Sequence, residues 1–120
     1  LSRARKAPVF TGLPISLSVG ENENTNRILY TLTVTDPNGD SFTCSVTINT
    51  GLYFQIIRDP ETAEWKIWTK SPSFNVNTAN SYNITVTCID AYSASTTGII
   101  YVNVLAGDAI KFSNLPNVQS

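Results

Sequence analysis

The sequence predicts an all-β domain, a seven-stranded antiparallel Greek-key sandwich. Apolar and polar residues alternate along several segments, and no stretch has a convincing helical period. Turn-forming residues such as Pro37-Asn38-Gly39-Asp40 and Asp59-Pro60-Glu61 separate these segments at short intervals. With 120 residues, of which 42% are hydrophobic and 14% charged, the chain has the material for one domain with a packed core.

Three segments show the alternation most clearly: Ile28–Thr35, Phe42–Ile48 and Tyr82–Cys88. Apolar residues fill every second position of these segments, and most of the positions between them are Thr. This pattern is typical of strands with one face on a core and one face in water. Four shorter runs complete the predicted set: Ile15–Val19, Leu52–Ile57, Trp65–Thr69 and Ile99–Val104.

The amino-acid composition excludes several classes of catalytic and metal site. The chain has no His and only two Cys, which excludes a Ser-His-Asp or Cys-His catalytic site and a zinc site built on Cys and His ligands. An enzyme would have to use carboxylates such as Asp59, Glu61 and Glu64, and a solvated hairpin explains that cluster better. We therefore predict that the chain is not an enzyme.

Charge and hydropathy also limit the partners. The net charge of −1 gives no general attraction to nucleic acid or to an anionic membrane. No apolar run approaches the ~18–20 residues that span a bilayer, and no segment near the start resembles a signal peptide. We expect any leader or membrane anchor to lie outside this chain.

The two ends of the chain resemble each other. Ala7-Pro8-Val9-Phe10-Thr11-Gly12-Leu13-Pro14 aligns with Ala109-Ile110-Lys111-Phe112-Ser113-Asn114-Leu115-Pro116, an offset of 102 positions. An offset close to the length of one sandwich domain predicts a tandem array. We therefore assign residues 1–7 to a linker or tail, 8–107 to one repeat, and 108–120 to a linker and the start of the following repeat.

Several motifs, taken in order, resemble those of a cadherin repeat over nearly the whole chain. They are Pro8-Val9-Phe10, Val19-Gly20-Glu21-Asn22, Asp36-Pro37-Asn38-Gly39-Asp40, Phe54-Gln55-Ile56 and the segment from Tyr82 to Asp90. The resemblance implies an immunoglobulin-like sandwich and an extracellular repeat of a cell-surface adhesion protein. It also implies a protein partner, homophilic or heterophilic, and contacts with adjacent repeats.

In that family, Ca²⁺ ions fill the junctions between repeats and are held by oxygen ligands. The resemblance implies that Glu21 faces the junction after this domain, whereas Asp36, Asn38 and Asp90 face the junction before it. Asp40 belongs to the same turn as Asp36 and is a further candidate ligand. The alternative for this turn is plain Pro-Asn-Gly-Asp turn chemistry without a metal.

Three segments depart from the family pattern. Phe74-Asn75-Val76-Asn77 stands where Leu-Asp-Arg-Glu is expected, so that two amides replace two carboxylates. Residues 105–109 replace the Asp-x-Asn-Asp-Asn linker and keep one carboxylate, and the stretch Arg3–Lys6 before the domain is basic. We therefore expect at most weak Ca²⁺ binding after the domain and a single ion before it.

Cys44 and Cys88 both occupy inward positions of predicted neighbouring strands, which predicts a disulfide bond between them; a pair of buried thiols is the alternative. Asn83-Ile84-Thr85 is the only N-glycosylation sequon. Asn83 has outward parity, which allows a glycan, although an unused match is the alternative.

A carbohydrate-binding module is the alternative function. Such modules often present exposed aromatic side chains on a β-sandwich, and Trp68, Tyr53 and Tyr92 are the candidates. Trp65 and Trp68 fall on opposite faces of a short strand, which predicts one in the core and one exposed. The similarity of the two chain ends favours the repeat instead.

Overall fold

The computed structural model describes residues 6–21, 26–48, 53–70 and 73–106. Nine strands and no helix lie within these ranges. The strands are β1 (Val9–Thr11), β2 (Ile15–Gly20), β3 (Ile28–Thr31), β4 (Thr33–Thr35), β5 (Phe42–Ile48), β6 (Phe54–Arg58), β7 (Trp65–Thr69), β8 (Ser81–Asp90) and β9 (Ser95–Leu105). The predicted all-β class is confirmed.

The strands form two layers of a sandwich. One layer is a four-stranded sheet in the order β2-β9-β8-β5. The other contains the three-stranded sheet β3-β7-β6 and the short pair β1-β4. Buried side chains from both layers belong to one hydrophobic cluster, which is the core of the domain.

All seven predicted segments contain strands, but the strand boundaries differ in detail from the prediction. The segment Ile28–Thr35 is two strands rather than one, because β3 pairs with β7 whereas β4 pairs with β1, and Leu32 lies between them. The short strand β1 was not predicted; it pairs with β4 through Phe10 opposite Val34. Leu52, predicted to begin a strand, lies outside the described residues.

One strand pair departs from the predicted antiparallel arrangement. β2 runs parallel to β9, with Ile15 opposite Ile100 and Val19 opposite Val104. The reason is that the chain crosses from β1, in one layer, to β2, at the edge of the other, without reversing direction. Gly12 lies in this crossing with a φ of 93°, a conformation that glycine adopts without steric cost.

The core follows the alternation in the sequence. Along β8, Tyr82, Ile84, Val86 and Cys88 are all buried, while Asn83 between them is exposed. At one end of the core, the rings of Tyr53, Phe54, Phe74 and Tyr82 form a cluster with neighbouring centroids 5.2–5.8 Å apart. Aromatic pairs at these separations stabilise a core beyond the area that they bury.

The prediction for the two tryptophans is wrong in part. Trp65 and Trp68 are both half-buried, so neither is fully in the core and neither is fully exposed. Trp65 packs against the core cluster. Trp68 lies on the outer face of its sheet, where Ile28 and Ile57 line the same concave surface.

Candidate metal site

Three carboxylates meet at one end of the sandwich. Asp36 and Asp40 flank the turn between β4 and β5, and Asp90 is the last residue of β8. Asp90 lies opposite Phe42, the first residue of β5, so the pairing of β5 with β8 brings this end of β8 beside the turn. One oxygen of each of the three carboxylates lies within 4.8 Å of the others.

Backbone N–H groups fix the orientation of two of these side chains. Oδ1 of Asp36 accepts hydrogen bonds from the backbone N–H groups of Asn38 at 2.9 Å and Asp40 at 3.1 Å. Oδ1 of Asp90 accepts the corresponding bonds from Tyr92 and Ala94, both at 2.9 Å. Each carboxylate thereby shapes its own turn with one oxygen and directs the other oxygen elsewhere.

The second carboxylate oxygens of Asp36 and Asp90 lie in an electrostatically unfavourable environment. Oδ2 of Asp36 and Oδ2 of Asp90 are buried and have no hydrogen-bond partner, and Asp90 is only 5% exposed. Burying a carboxylate oxygen without a partner is costly unless a cation or a donor compensates it. Carboxylate oxygens are the ligands that Ca²⁺ prefers, so the residues present fit such an ion.

The side chain of Asn38 makes a hydrogen bond to the segment by which the chain enters the domain. Its Oδ1 accepts a hydrogen bond from the backbone N–H of Lys6 at 2.8 Å. The amide side chain therefore ties the entering chain to the turn that carries Asp36 and Asp40. This contact places the acidic cluster at the end of the domain where the chain enters it.

Glu21 lies at the other end of the sandwich. Its backbone N–H donates to the carbonyl of Leu105 at 2.8 Å, whereas the Asp90 turn contacts Ala94, before the start of β9. The eleven-residue strand β9 separates the two places by about 35 Å. The structure thus brings Asp36, Asp40 and Asp90 together and keeps Glu21 apart from them.

The surroundings of Glu21 contain amides where the resemblance predicts carboxylates. Oε2 of Glu21 accepts the backbone N–H of Val76 at 2.9 Å, and Oδ1 of Asn75 accepts the backbone N–H of Asn77 at 2.8 Å. Across the described part of the chain, the acidic cluster of Asp36, Asp40 and Asp90 is the one grouping of three or more potential metal-ligating acids or cysteines.

A disulfide bond joins Cys44 and Cys88. The two residues lie directly opposite each other on β5 and β8, and both side chains are buried. Of the two alternatives that the sequence leaves open, the structure contains the bonded form.

Asn83 is exposed on the outer face of β8, as its parity predicts. Its partner across the strand pair is Tyr101 of β9, which is 41% exposed. Sequence reasoning did not identify Tyr101, because parity places it on the outer face but does not give the register between β8 and β9.

The three candidate stacking residues for a carbohydrate do not form one surface. Tyr53 contacts the rings of Phe74 and Tyr82 at one end of β8, whereas Tyr92 follows Asp90 at the other end. From Tyr82 to Asp90 the strand extends about 27 Å. Tyr92 is exposed, but Tyr53 is committed to the core cluster.

The acidic residues Asp59, Glu61 and Glu64 form the hairpin turn between β6 and β7. Oδ2 of Asp59 binds Nζ of Lys66 at 2.8 Å, and its Oδ1 accepts the backbone N–H of Glu61 at 2.9 Å. The hydrogen bond from Lys66 lowers the pKa of Asp59, which is the opposite of what a general base at neutral pH requires. Glu61 and Glu64 are exposed.

A groove of about 460 Å³ lies between β1 and β9, with Phe10, Leu13 and Tyr101 among its lining residues. None of the described residues that line it is a carboxylate. The described residues contain no helix that is long and apolar enough to cross a membrane.

No protein-family model matches the chain, and no curated protein matches it. Solved structures do match the chain. The chain aligns with Drosophila N-cadherin EC1-4 at a TM-score of 0.68 and 17% identity, over 84% of this chain and 25% of that one. It aligns with the human desmocollin-1 ectodomain at 0.66 and 22% identity, over 87% of this chain and 22% of that one.

A third example is human mucin-like protocadherin EC1-2, with a TM-score of 0.69, 16% identity, and coverage of 84% of this chain and 54% of that one. The chain therefore spans about a quarter of the first two structures and about half of the third. At these identities the likeness establishes the fold. The domain has a cadherin-like β-sandwich fold.

Proposed function

We propose that the chain is an extracellular repeat of an adhesion-type protein and that it binds one Ca²⁺ at the end where the chain enters the domain. The observation that supports the metal is the acidic cluster, in which two buried carboxylate oxygens have no partner. Its role is structural or adhesive rather than catalytic.

The residues of the cluster have distinct tasks. Asp36 and Asp90 are held by backbone N–H groups, so they present their second oxygens in fixed positions. Asp40 adds a third carboxylate. Ca²⁺ takes six to eight oxygen ligands, so water or an adjacent repeat supplies the remainder.

A cation bound there neutralises the charge that the three carboxylates concentrate. It also links the turn before β5 to the end of β8, two parts of the chain that are distant in sequence. Because Asn38 of the same turn holds Lys6, the bound ion stiffens the path by which the preceding segment enters. A stiff junction is what a tandem array needs to act as a spacer between cells or in a matrix.

The opposite end of the domain is a weaker candidate. Glu21 already accepts one backbone N–H there, and the neighbouring Asn75 and Asn77 contribute no charge. Each carboxylate lost from a calcium site reduces the electrostatic attraction for the ion. We therefore propose that the junction after this domain depends on direct contacts between protein surfaces more than on calcium.

Thermal unfolding tests the calcium proposal. With a Kd of about 0.1–1 mM, as for extracellular calcium modules, 10 mM CaCl₂ stabilises the domain by about 1.4–2.7 kcal/mol relative to EDTA. The variant Asp90→Asn removes this gain, whereas Asp59→Asn, a matched change in the β6–β7 hairpin, retains it. An equal calcium response in wild type and Asp90→Asn would refute the site.

Adhesion is tested separately with beads coated with the chain. Aggregation of these beads with one another indicates a homophilic contact, and binding only to cells or to other proteins indicates a heterophilic one. If neither occurs, the repeat is a spacer and not an adhesive surface.

A further inference from the structure

The outer face of the four-stranded sheet carries no charged side chain among its described residues. Alternation places hydroxyl residues on this face in every strand, with Ser16 on β2, Ser45 on β5, Thr87 on β8 and Thr97 on β9 as examples. The hydroxyl oxygens of Thr87 and Thr97 lie 3.5 Å apart across β8 and β9. An uncharged face of this kind is unusual for a solvent-exposed sheet, because charged surface residues normally limit association.

The single glycosylation sequon lies on this face. Asn83 is exposed, and Thr85, the third residue of the sequon, lies two residues further along β8 on the same face. The described pairing of β5 with β8 ends at Ile48 opposite Ile84. Asn83 therefore lies next to the end of the described β5 ladder, with β9 as its paired neighbour on the other side.

We propose that Asn83 carries an N-linked glycan and that the first sugar packs on the ring of Tyr101. The proposal rests on the extracellular location proposed above, because the modification takes place in the secretory pathway. In this proposal the glycan covers part of the uncharged outer face of the four-stranded sheet.

The transfer uses a polyisoprenyl-diphosphate-linked oligosaccharide as the donor. The side-chain amide nitrogen of Asn83 forms a bond to C1 of the first N-acetylglucosamine and loses one proton. The bond between C1 and the diphosphate oxygen breaks, and the diphosphate leaves with the electron pair. No oxidant or reductant takes part.

Tyr101 is placed to support the sugar. It lies directly opposite Asn83, so the two Cβ atoms are about 4.5–5.5 Å apart. On its other side, Tyr101 pairs with Ser16 of β2, which has a small side chain, and Tyr101 is 41% exposed. An exposed aromatic ring offers an apolar face to the C–H groups of a sugar, and covering it removes apolar surface from water.

The occupancy test uses the full chain secreted from a eukaryotic host. Enzymatic removal of N-glycans is expected to reduce the mass by that of an oligosaccharide and to convert Asn83 to Asp. Asn83→Gln and Thr85→Ala are expected to abolish the glycan, while Thr85→Ser retains it. Asn103→Gln, an exposed amide of β9 outside any sequon, is the matched control and stays glycosylated. A secreted wild-type chain without N-glycan would overturn the site.

The packing test compares melting temperatures before and after deglycosylation. We expect the glycan to raise the melting temperature of the wild type by about 2–5 °C. In Tyr101→Ser, which keeps the sequon, the increment is expected to fall by about half or more. An equal increment in both proteins would overturn the contact with Tyr101. Calcium binding is measured on unglycosylated protein refolded from bacteria, so the two proposals fail independently.

Discussion

Asp36 and Asp90 are held in the same way although they lie in different turns. Each uses Oδ1 to accept backbone N–H groups from the residues two and four positions ahead, and each leaves Oδ2 buried without a partner. One oxygen of each carboxylate therefore stabilises its own turn, and the other oxygen has no hydrogen-bond partner. Two such oxygens beside Asp40 form a preorganised site, in which little order remains to be gained on binding.

The first prediction separates the charge of Asp90 from its hydrogen bonds. In EDTA, Asp90→Asn keeps an oxygen for the two N–H groups and removes a buried negative charge, so stability is expected to stay equal or to rise by about 1–2 kcal/mol. Asp90→Ala leaves both N–H groups without their acceptor and is expected to lose about 2 kcal/mol. Urea unfolding measures both. Similar losses in the two variants would show that the charge itself holds the turn.

The second prediction concerns the disulfide bond. Cys44 and Cys88 are separated by 44 residues in sequence, and loop entropy gives the cross-link a value of about 4 kcal/mol. We expect the double variant Cys44→Ala/Cys88→Ala to lose about that amount in denaturant unfolding. Alkylation of the denatured, unreduced wild type is expected to label no thiol. Two labelled thiols, or an unchanged stability of the variant, would contradict the bond or its value.

The third prediction tests the close approach of β1 to β9. A Cβ added at Gly98 would lie 2.7 Å from Cδ1 of Leu13 and 3.0 Å from Cδ2 of Phe10. Both side chains must move to admit it, so Gly98→Ala is expected to cost about 1–2 kcal/mol. Thr97→Ala, an exposed change beside it, is expected to stay within about 0.5 kcal/mol of wild type. Equal stability of Gly98→Ala and wild type would mean that this contact is loose.

The fourth prediction is a pH dependence in the β6–β7 hairpin. The hydrogen bond from Lys66 lowers the pKa of Asp59 below its ordinary value of 3.8 and raises that of Lys66 above 10.5. The contribution of Asp59 to stability is therefore present above pH 3.8 and is lost as the pH falls through the lowered value. That of Lys66 is lost only as the pH rises through the raised one.

Carboxyl chemical shifts followed by NMR check this titration. Lys66→Met is expected to return the pKa of Asp59 towards 3.8, while Lys70→Met, a neighbouring lysine outside the ion pair, leaves it lowered. An ordinary pKa for Asp59 in the wild type would contradict the ion pair.

Much of the fold follows from local patterns. Alternation along Phe42–Ile48 and Tyr82–Cys88 predicts the two strands and the inward direction of Cys44 and Cys88, because strand side chains alternate with a period of two. The parallel pairing of β2 is not predictable in this way, since it depends on the crossing at Gly12. The break at Leu32 is also not predictable from sequence, because it depends on the change of partner strand from β7 for β3 to β1 for β4.

The candidate metal site is likewise predictable from the sequence only in part. The motif around Asp36 and the end of the Tyr82–Asp90 segment identify the acidic residues, as their resemblance to a known repeat implies. The unpartnered oxygens are not visible in sequence, since they depend on which oxygen the backbone N–H groups engage. The contact between Asn38 and Lys6 is equally a product of tertiary structure, because the two residues are 32 positions apart.

The most direct test of the calcium site is a titration of the ¹⁵N-labelled chain with CaCl₂, followed by two-dimensional NMR. The amides of Asn38, Asp40, Tyr92 and Ala94 donate to the site carboxylates. They are expected to shift together with one Kd of about 0.1–1 mM. The amide of Val76, which donates to Glu21 at the other end, is the internal control and is expected to stay in place. No shift of the four amides at 10 mM calcium, or a larger shift at Val76, would contradict the account.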